Sequence, residues 1–186
     1  MKDINLFPTK DSSYLQKVKS KSEISLNDES MGYLIESSEK EARRIVESLK
    51  GKGKIIAVVG GDDAFNRRAI ETLKIDYLVS PEKNVGKDTL KQRDSGMNHV
   101  IAKLAAEKKI SMVIDFSEVS KLSGKEKALR LEKLIQNVKI CRKVGCKIKI
   151  ASLSRDEKGL VDGKARSAFG TSLGMSSVQA FNSTEF

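Results

Sequence analysis

Residues 54–60 read KIIAVVG. The run is aliphatic without interruption from Ile55 to Val59 and rich in β-branched side chains. Polar residues do not alternate with them, so a strand built here is covered on both faces. That is the signature of an inner strand in a parallel sheet flanked by helices.

The flanks agree. Upstream, SSEKEARRIVESLK (37–50) predicts a helix whose apolar stripe is Ala42, Ile45, Val46 and Leu49. Ser37 or Ser38 is expected to cap it, with Glu41 closing a capping box, and Gly51 and Gly53 end it. MGYLIE (31–36) reads as a strand, residues 3–6 as a short first strand, and Tyr14–Val18 has helical character. Downstream, Asp62 or Asp63 caps a helix through Leu73, and DYLVS (76–80) is a short strand stopped by Pro81. A polar segment over 82–93 leads into a helix over 95–108. SMVIDFS (111–117) is a strand, 124–145 a long helix, and KIKIAS (147–152) a strand. A helix near 163–173 and a weak strand over Ser177–Phe181 follow.

Strands alternating with helices imply parallel βαβ units. The expectation is one α/β domain over residues 1–186, either a small TIM-like (β/α) barrel of about seven parallel strands or an open doubly wound sheet. In both, ligands meet the loops that follow the strands. Four such loops are polar: 60–68, 81–98, 117–125 and 152–164.

The formal net charge is +10 over 186 residues. Such an excess favours a polyanionic partner, and nucleic acid is the expectation. Aromatics are 5% and tryptophan is absent, which argues against a base-stacking platform and for phosphate contacts on structured RNA. Arg67, Arg68, Lys83, Lys87, Lys91, Arg93, Arg155 and Lys158 fall on the loop face and form the candidate anion-binding set. No apolar run is long enough to span a membrane, and the N-terminal MKDINLFPTKDSS lacks the apolar centre of a secretory leader. A cytoplasmic location is expected. Cys141 and Cys146 are read as buried free thiols.

RDSGMNHV (93–100) places an aspartate, a serine and the single histidine close together. A hydrolytic triad does not follow. On a helix Asp94 lies roughly 140° around the axis from His99 and cannot orient its imidazole. Asp94 or Ser95 is better used as a helix cap, with Gly96 shaping the turn. The GGDD after Val59 lacks the spacing of a dinucleotide-binding loop, and its two carboxylates repel a pyrophosphate. One histidine cannot supply a polynuclear hydrolase site. A magnesium site made only of carboxylates, from Asp62, Asp63, Asp94 or Asp115, stays open.

GGDDAFNRRAIETLKIDYLVSP and RDSGMNHVIAKLAAEKKISMVIDFS together resemble the archaeal and eukaryotic ribonuclease P protein component 3 family. The motif positions are Asn66, Arg67, Asp76, Arg93, Asp94, Ser95, Gly96, Asn98, His99 and Asp115. The likeness is close over 55–116 and continues weakly through 124–165. It implies a barrel related to metal-dependent phosphoesterase barrels but without their ligands. It also implies a noncatalytic subunit that supports an RNA, together with a second small protein subunit. The RNA removes the 5′ leader from precursor tRNA and uses Mg2+, while the protein binds no cofactor. Within that frame Arg67, Arg68, Lys87, Lys91, Arg93, Arg155 and Lys158 are candidate RNA contacts, and Asn66, Asn98 and His99 candidate contacts to RNA or partner. The alternative is a free-standing phosphoesterase barrel with carboxylate-bound metal.

Overall fold

The computed structural model describes residues 3–9, 12–25, 29–85 and 94–186. KIIAVVG forms β4 (Ile55–Val59) at the middle of a seven-stranded parallel sheet. The others are β1 (Asp3–Asn5), β2 (Ser12–Val18), β3 (Gly32–Ile35), β5 (Tyr77–Val79), β6 (Ser111–Asp115) and β7 (Ile148–Ala151). Each strand pairs with its sequence neighbours, in the order β1 to β7. The sheet then curls until its ends meet. Leu153 N–H donates to Ile4 O at 3.0 Å, and Leu6 N–H donates to Ser154 O at 2.8 Å. The expected barrel is therefore the fold, and the open sheet is not.

Period-two alternation explains the layers. Ile4, Leu15, Leu34, Ala57, Val79, Val113 and Ala151, one from each strand, pack together inside the ring. Their neighbours on the strands, such as Val18, Ile35, Val58, Leu78 and Ile114, face the helices. The inner strands such as β4 are thus apolar on both faces, which is why β4 shows no polar alternation.

The helices are α1 (Glu39–Leu49), α2 (Asp63–Thr72), α3 (His99–Glu107), α4 (Phe116–Lys121), α5 (Gly124–Val144), α6 (Gly163–Ser172) and α7 (Ser177–Asn182). The expected stripe of α1 is buried: Ala42, Ile45, Val46 and Leu49. Its capping box does not form. Neither serine caps by side chain; Glu41 instead accepts from Lys21 N–H at 3.0 Å. No described helix is long and apolar enough to cross a membrane.

Three further expectations are corrected. Tyr14–Val18 is strand, not helix: Leu15 packs inside the barrel and Val18 outside it, so their helix-like spacing reports two layers rather than one stripe. The helix expected from Ser95 starts at His99, because Asn98 is its cap. Ser177–Phe181 is helix, not strand. Ser176 and Gln179 make a full capping box there, and β7 already pairs with β6 and meets β1 at the seam, so no sheet edge is free.

A buried arginine secures the seam. Arg166, 2% exposed, puts Nη1 3.0 Å from Asp3 Oδ1 and donates to Ile150 O at 2.7 Å. Its Nε donates to Val161 O at 3.2 Å. Asp3 Oδ1 in turn accepts from Ser152 N–H at 3.1 Å, across the junction of β1 and β7.

Candidate functional site

The C-terminal ends of the strands open onto a cavity of about 220 Å³. Lys17, Glu36, Lys83, Asp115, Lys121 and Arg155 are among the residues that line it. The charges are arranged in sequence. Lys17 Nζ lies 2.5 Å from Glu36 Oε2, and Lys83 Nζ lies 3.6 Å from Glu36 Oε1 and 2.6 Å from Glu118 Oε1. Arg130 Nη1 lies 3.7 Å from Glu118 Oε2 and 3.1 Å from Glu82 Oε1. The hydrogen bond from Lys17 holds the Glu36 carboxyl below the ordinary carboxylate range, although burial opposes it. Burial lowers Lys83, but its hydrogen bond and charge contact with Glu118 and the charge of Glu36 outweigh that and raise it. Ser80 and Leu153, both lining the cavity, hold left-handed φ angles of 48° and 45°. Non-glycine residues adopt these at a cost, when surrounding structure enforces them.

Asp115 ends β6 and caps α4, accepting from Glu118 N–H at 2.9 Å. Burial pushes its carboxyl up from 3.8 to about 6 despite that bond. The fold therefore binds this proton more tightly than the unfolded chain does, and stability falls as pH rises from about 4 to about 6. Asp115→Asn keeps the capping oxygen and removes the charge. It should match the parent at about pH 4 and exceed its stability at about pH 7.5 by on the order of 1–2 kcal/mol. Urea unfolding at both pH values checks this; a gap independent of pH would refute it.

The motif segment serves as a turn. Asp94 accepts from Gly96 N–H at 3.1 Å, and Gly96 has φ 72°. A Cβ at Gly96 would stand 2.0 Å from Pro81 O, so glycine is required. Ser95 is buried, and its carbonyl accepts from Asn137 of α5 at 2.9 Å. Asn66, fully buried on α2, ties three points on two loops together. Its Oδ1 accepts from Gly61 N–H at 2.9 Å, and its Nδ2 donates to Pro81 O at 3.0 Å and Gly96 O at 3.2 Å. Asn66 thus faces inward, not toward a partner. Asn98 caps α3, accepting from Val100 and Ile101 N–H at 3.0 Å each. Asp94 and Ser95 shape the turn as expected, but neither caps the helix.

Asp63 does meet Asp94. Burial first, then the hydrogen bond and charge of Asp94, push Asp63 up to about 6. Asp62 is turned to cap α2, and Asp115 sits in the mouth. The four aspartates therefore do not converge, and the described residues hold no group of three or more metal-ligating side chains.

The basic set is only partly assembled. Arg155 reaches the mouth, and Lys83 is held within its ion pairs. Arg67 pairs with Glu71 at 2.7 Å along the outer side of α2, and Arg68 pairs with Glu39 of α1 at 2.6 Å. Lys158 is exposed in a short turn, Glu157–Gly159. Lys87, Lys91 and Arg93 lie outside the described residues. His99 is exposed and lines a groove of about 240 Å³ with Asn98, Gln136, Lys139, Ile140 and Lys143.

A sequence model described as RNase P subunit p30 matches residues 33–185. The chain belongs to the RNase P subunit p30 family. Among curated relatives, ribonuclease P protein component 3 of Methanococcus vannielii is 25% identical over 127 residues, 68% of this chain and 52% of the relative. The protein of the same name from Methanocaldococcus jannaschii is 30% identical over 115 residues, 62% of this chain and 47% of the relative. The chain spans about half the length of the curated relatives it matches. A chain in a cryo-EM structure of archaeal ribonuclease P with mature tRNA superposes with a TM-score of 0.75 at 21% identity, covering 98% of this chain and 87% of that one. A crystal structure of an amidohydrolase gives 0.57 at 15% identity, covering 84% and 41%. Both likenesses establish the shared barrel.

Within this p30-family barrel, sequence reasoning missed the ladder of Lys17, Glu36, Glu118 and Arg130. Its members come from four separate segments, and only the tertiary fold brings them together. Lys139 and Lys143 did carry a signal: they stand four apart on a helix and so share a face.

Proposed function

We propose that this chain is a noncatalytic protein subunit of ribonuclease P. It binds and supports the catalytic RNA together with a second small protein subunit, and the RNA removes the 5′ leader of precursor tRNA using Mg2+. Family membership across residues 33–185 carries this reading. The net charge of +10 and the groove of His99, Lys139 and Lys143 support it, since both suit phosphate contacts. A free-standing phosphoesterase would need ligands at the barrel mouth. There Glu36 and Glu118 are engaged with lysines, and the single histidine lies elsewhere, in the groove with Lys139 and Lys143.

Reconstitution tests the proposal. Cleavage of precursor tRNA should require the RNA and rise when this chain and its partner subunit are added together. Full-rate cleavage by the chain alone would overturn it. Within that assay Arg67→Ala and Arg93→Ala should weaken RNA binding more than Lys40→Ala on α1. Each phosphate contact removed should lower the salt slope of binding by about one. Equal losses at all three positions would mean that no localised contact exists.

A further inference from the structure

The opposite end of the barrel carries the only two cysteines of the chain. Helix α5 ends in a left-handed residue, Gly145, with φ 74°. Past it the chain folds back, so that Cys146 N–H donates to Cys141 O at 3.0 Å. This is the six-to-one bond of a Schellman cap. Such caps bring the side chains at these two positions into contact, usually as an apolar pair. Here the pair is two neighbouring thiols, and the Cys146 thiol also donates weakly to Lys147 O at 3.7 Å and Ile110 O at 3.9 Å. Both line a cavity of about 430 Å³, along with Arg142, Lys147, Met175 and Gln179. Cys141 is 0% and Cys146 7% exposed, so the cavity is their route to solvent.

We propose that Cys141 and Cys146 are a modification site: a helix-cap thiol pair that hydrogen peroxide oxidises to a disulfide, stapling the end of α5 to the start of β7. Cys146 keeps 7% of its surface exposed whereas Cys141 is fully buried, so peroxide entering by the cavity meets Cys146 first. Cys146 is accordingly the attacking sulfur. Its thiolate attacks one peroxide oxygen, the O–O bond breaks, and hydroxide leaves and takes up a proton as water. Cys146 is then a sulfenic acid. Cys141 gives up its proton and attacks that sulfur; the S–O bond breaks and the hydroxyl departs, with the proton, as a second water. Two thiols lose two hydrogens and two electrons, and one peroxide becomes two waters.

The test uses the full chain, reduced, desalted and exposed to hydrogen peroxide in non-denaturing buffer. After catalase treatment it is alkylated in denaturant with iodoacetamide and weighed intact. The expected product is monomeric, lighter by two hydrogens and unalkylated at both cysteines. It melts a few degrees higher than the reduced chain and returns to the reduced mass with dithiothreitol. Cys146→Ala should abolish this product and leave Cys141 slow to oxidise. Full alkylation of both cysteines after peroxide, a mass raised only by added oxygen, or covalent dimers would each overturn the proposal. So would oxidation that occurs only in urea. If the variant fails to fold, the intact mass of the parent chain still decides.

Discussion

Arg166→Leu should lower stability by about 3–5 kcal/mol, because it strips a buried carboxylate of its counter-charge. Asp3 would remain at the seam with only backbone N–H donors, from Ile4 and Ser152. The carbonyls of Ile150 and Val161 would lose a donor as well. In a chain of this size the thermal midpoint should drop by on the order of 10 °C. Loss should begin at the junction of β1 and β7, where amide exchange of Leu153 and Leu6 would accelerate before that of β4. Adding Asp3→Asn should restore part of the loss, since the amide oxygen still accepts from Ser152 and no charge is stranded. An unchanged midpoint in the single variant would mean that backbone pairing alone closes the ring.

Asn66→Ala should cost about 2–4 kcal/mol, from one abandoned donor and two abandoned acceptors in a buried setting. The effect should spread beyond α2, to Gly61, Pro81 and Gly96 together. Asn66→Asp is the informative companion. It keeps the acceptor for Gly61 but turns a carboxylate toward two carbonyl oxygens, so it should be no milder than alanine. If urea unfolding finds Asn66→Asp close to the parent, the two carbonyl bonds contribute little. Reconstituted activity should fall with both variants, even though Asn66 touches no solvent.

The barrel was legible in the sequence because its signal is local. An aliphatic run such as Ile55–Val59 reports burial on both faces, and the stripe of α1 reports one face of a helix. Leu15 and Val18 misled because a three-residue spacing fits both a helix and a strand buried on both faces. Ser177–Phe181 misled because Val178 and Phe181 are apolar yet exposed, so the alternation described no layer. The site was less legible for a physical reason. Whether an arginine is free or ion-paired depends on what the next helix brings beside it, as Glu39 does for Arg68. Asn66 shows the same gap: its sequence position signals importance, but only the fold shows that its amide is directed inward.

The Asn66 anchor also bears on how tightly the loop face can bind. Gly61, Pro81 and Gly96 are fixed to one another by a single side chain as part of folding. A surface that is preorganised in this way loses little conformational entropy when a partner arrives, so weak individual phosphate contacts can add up to a stable complex.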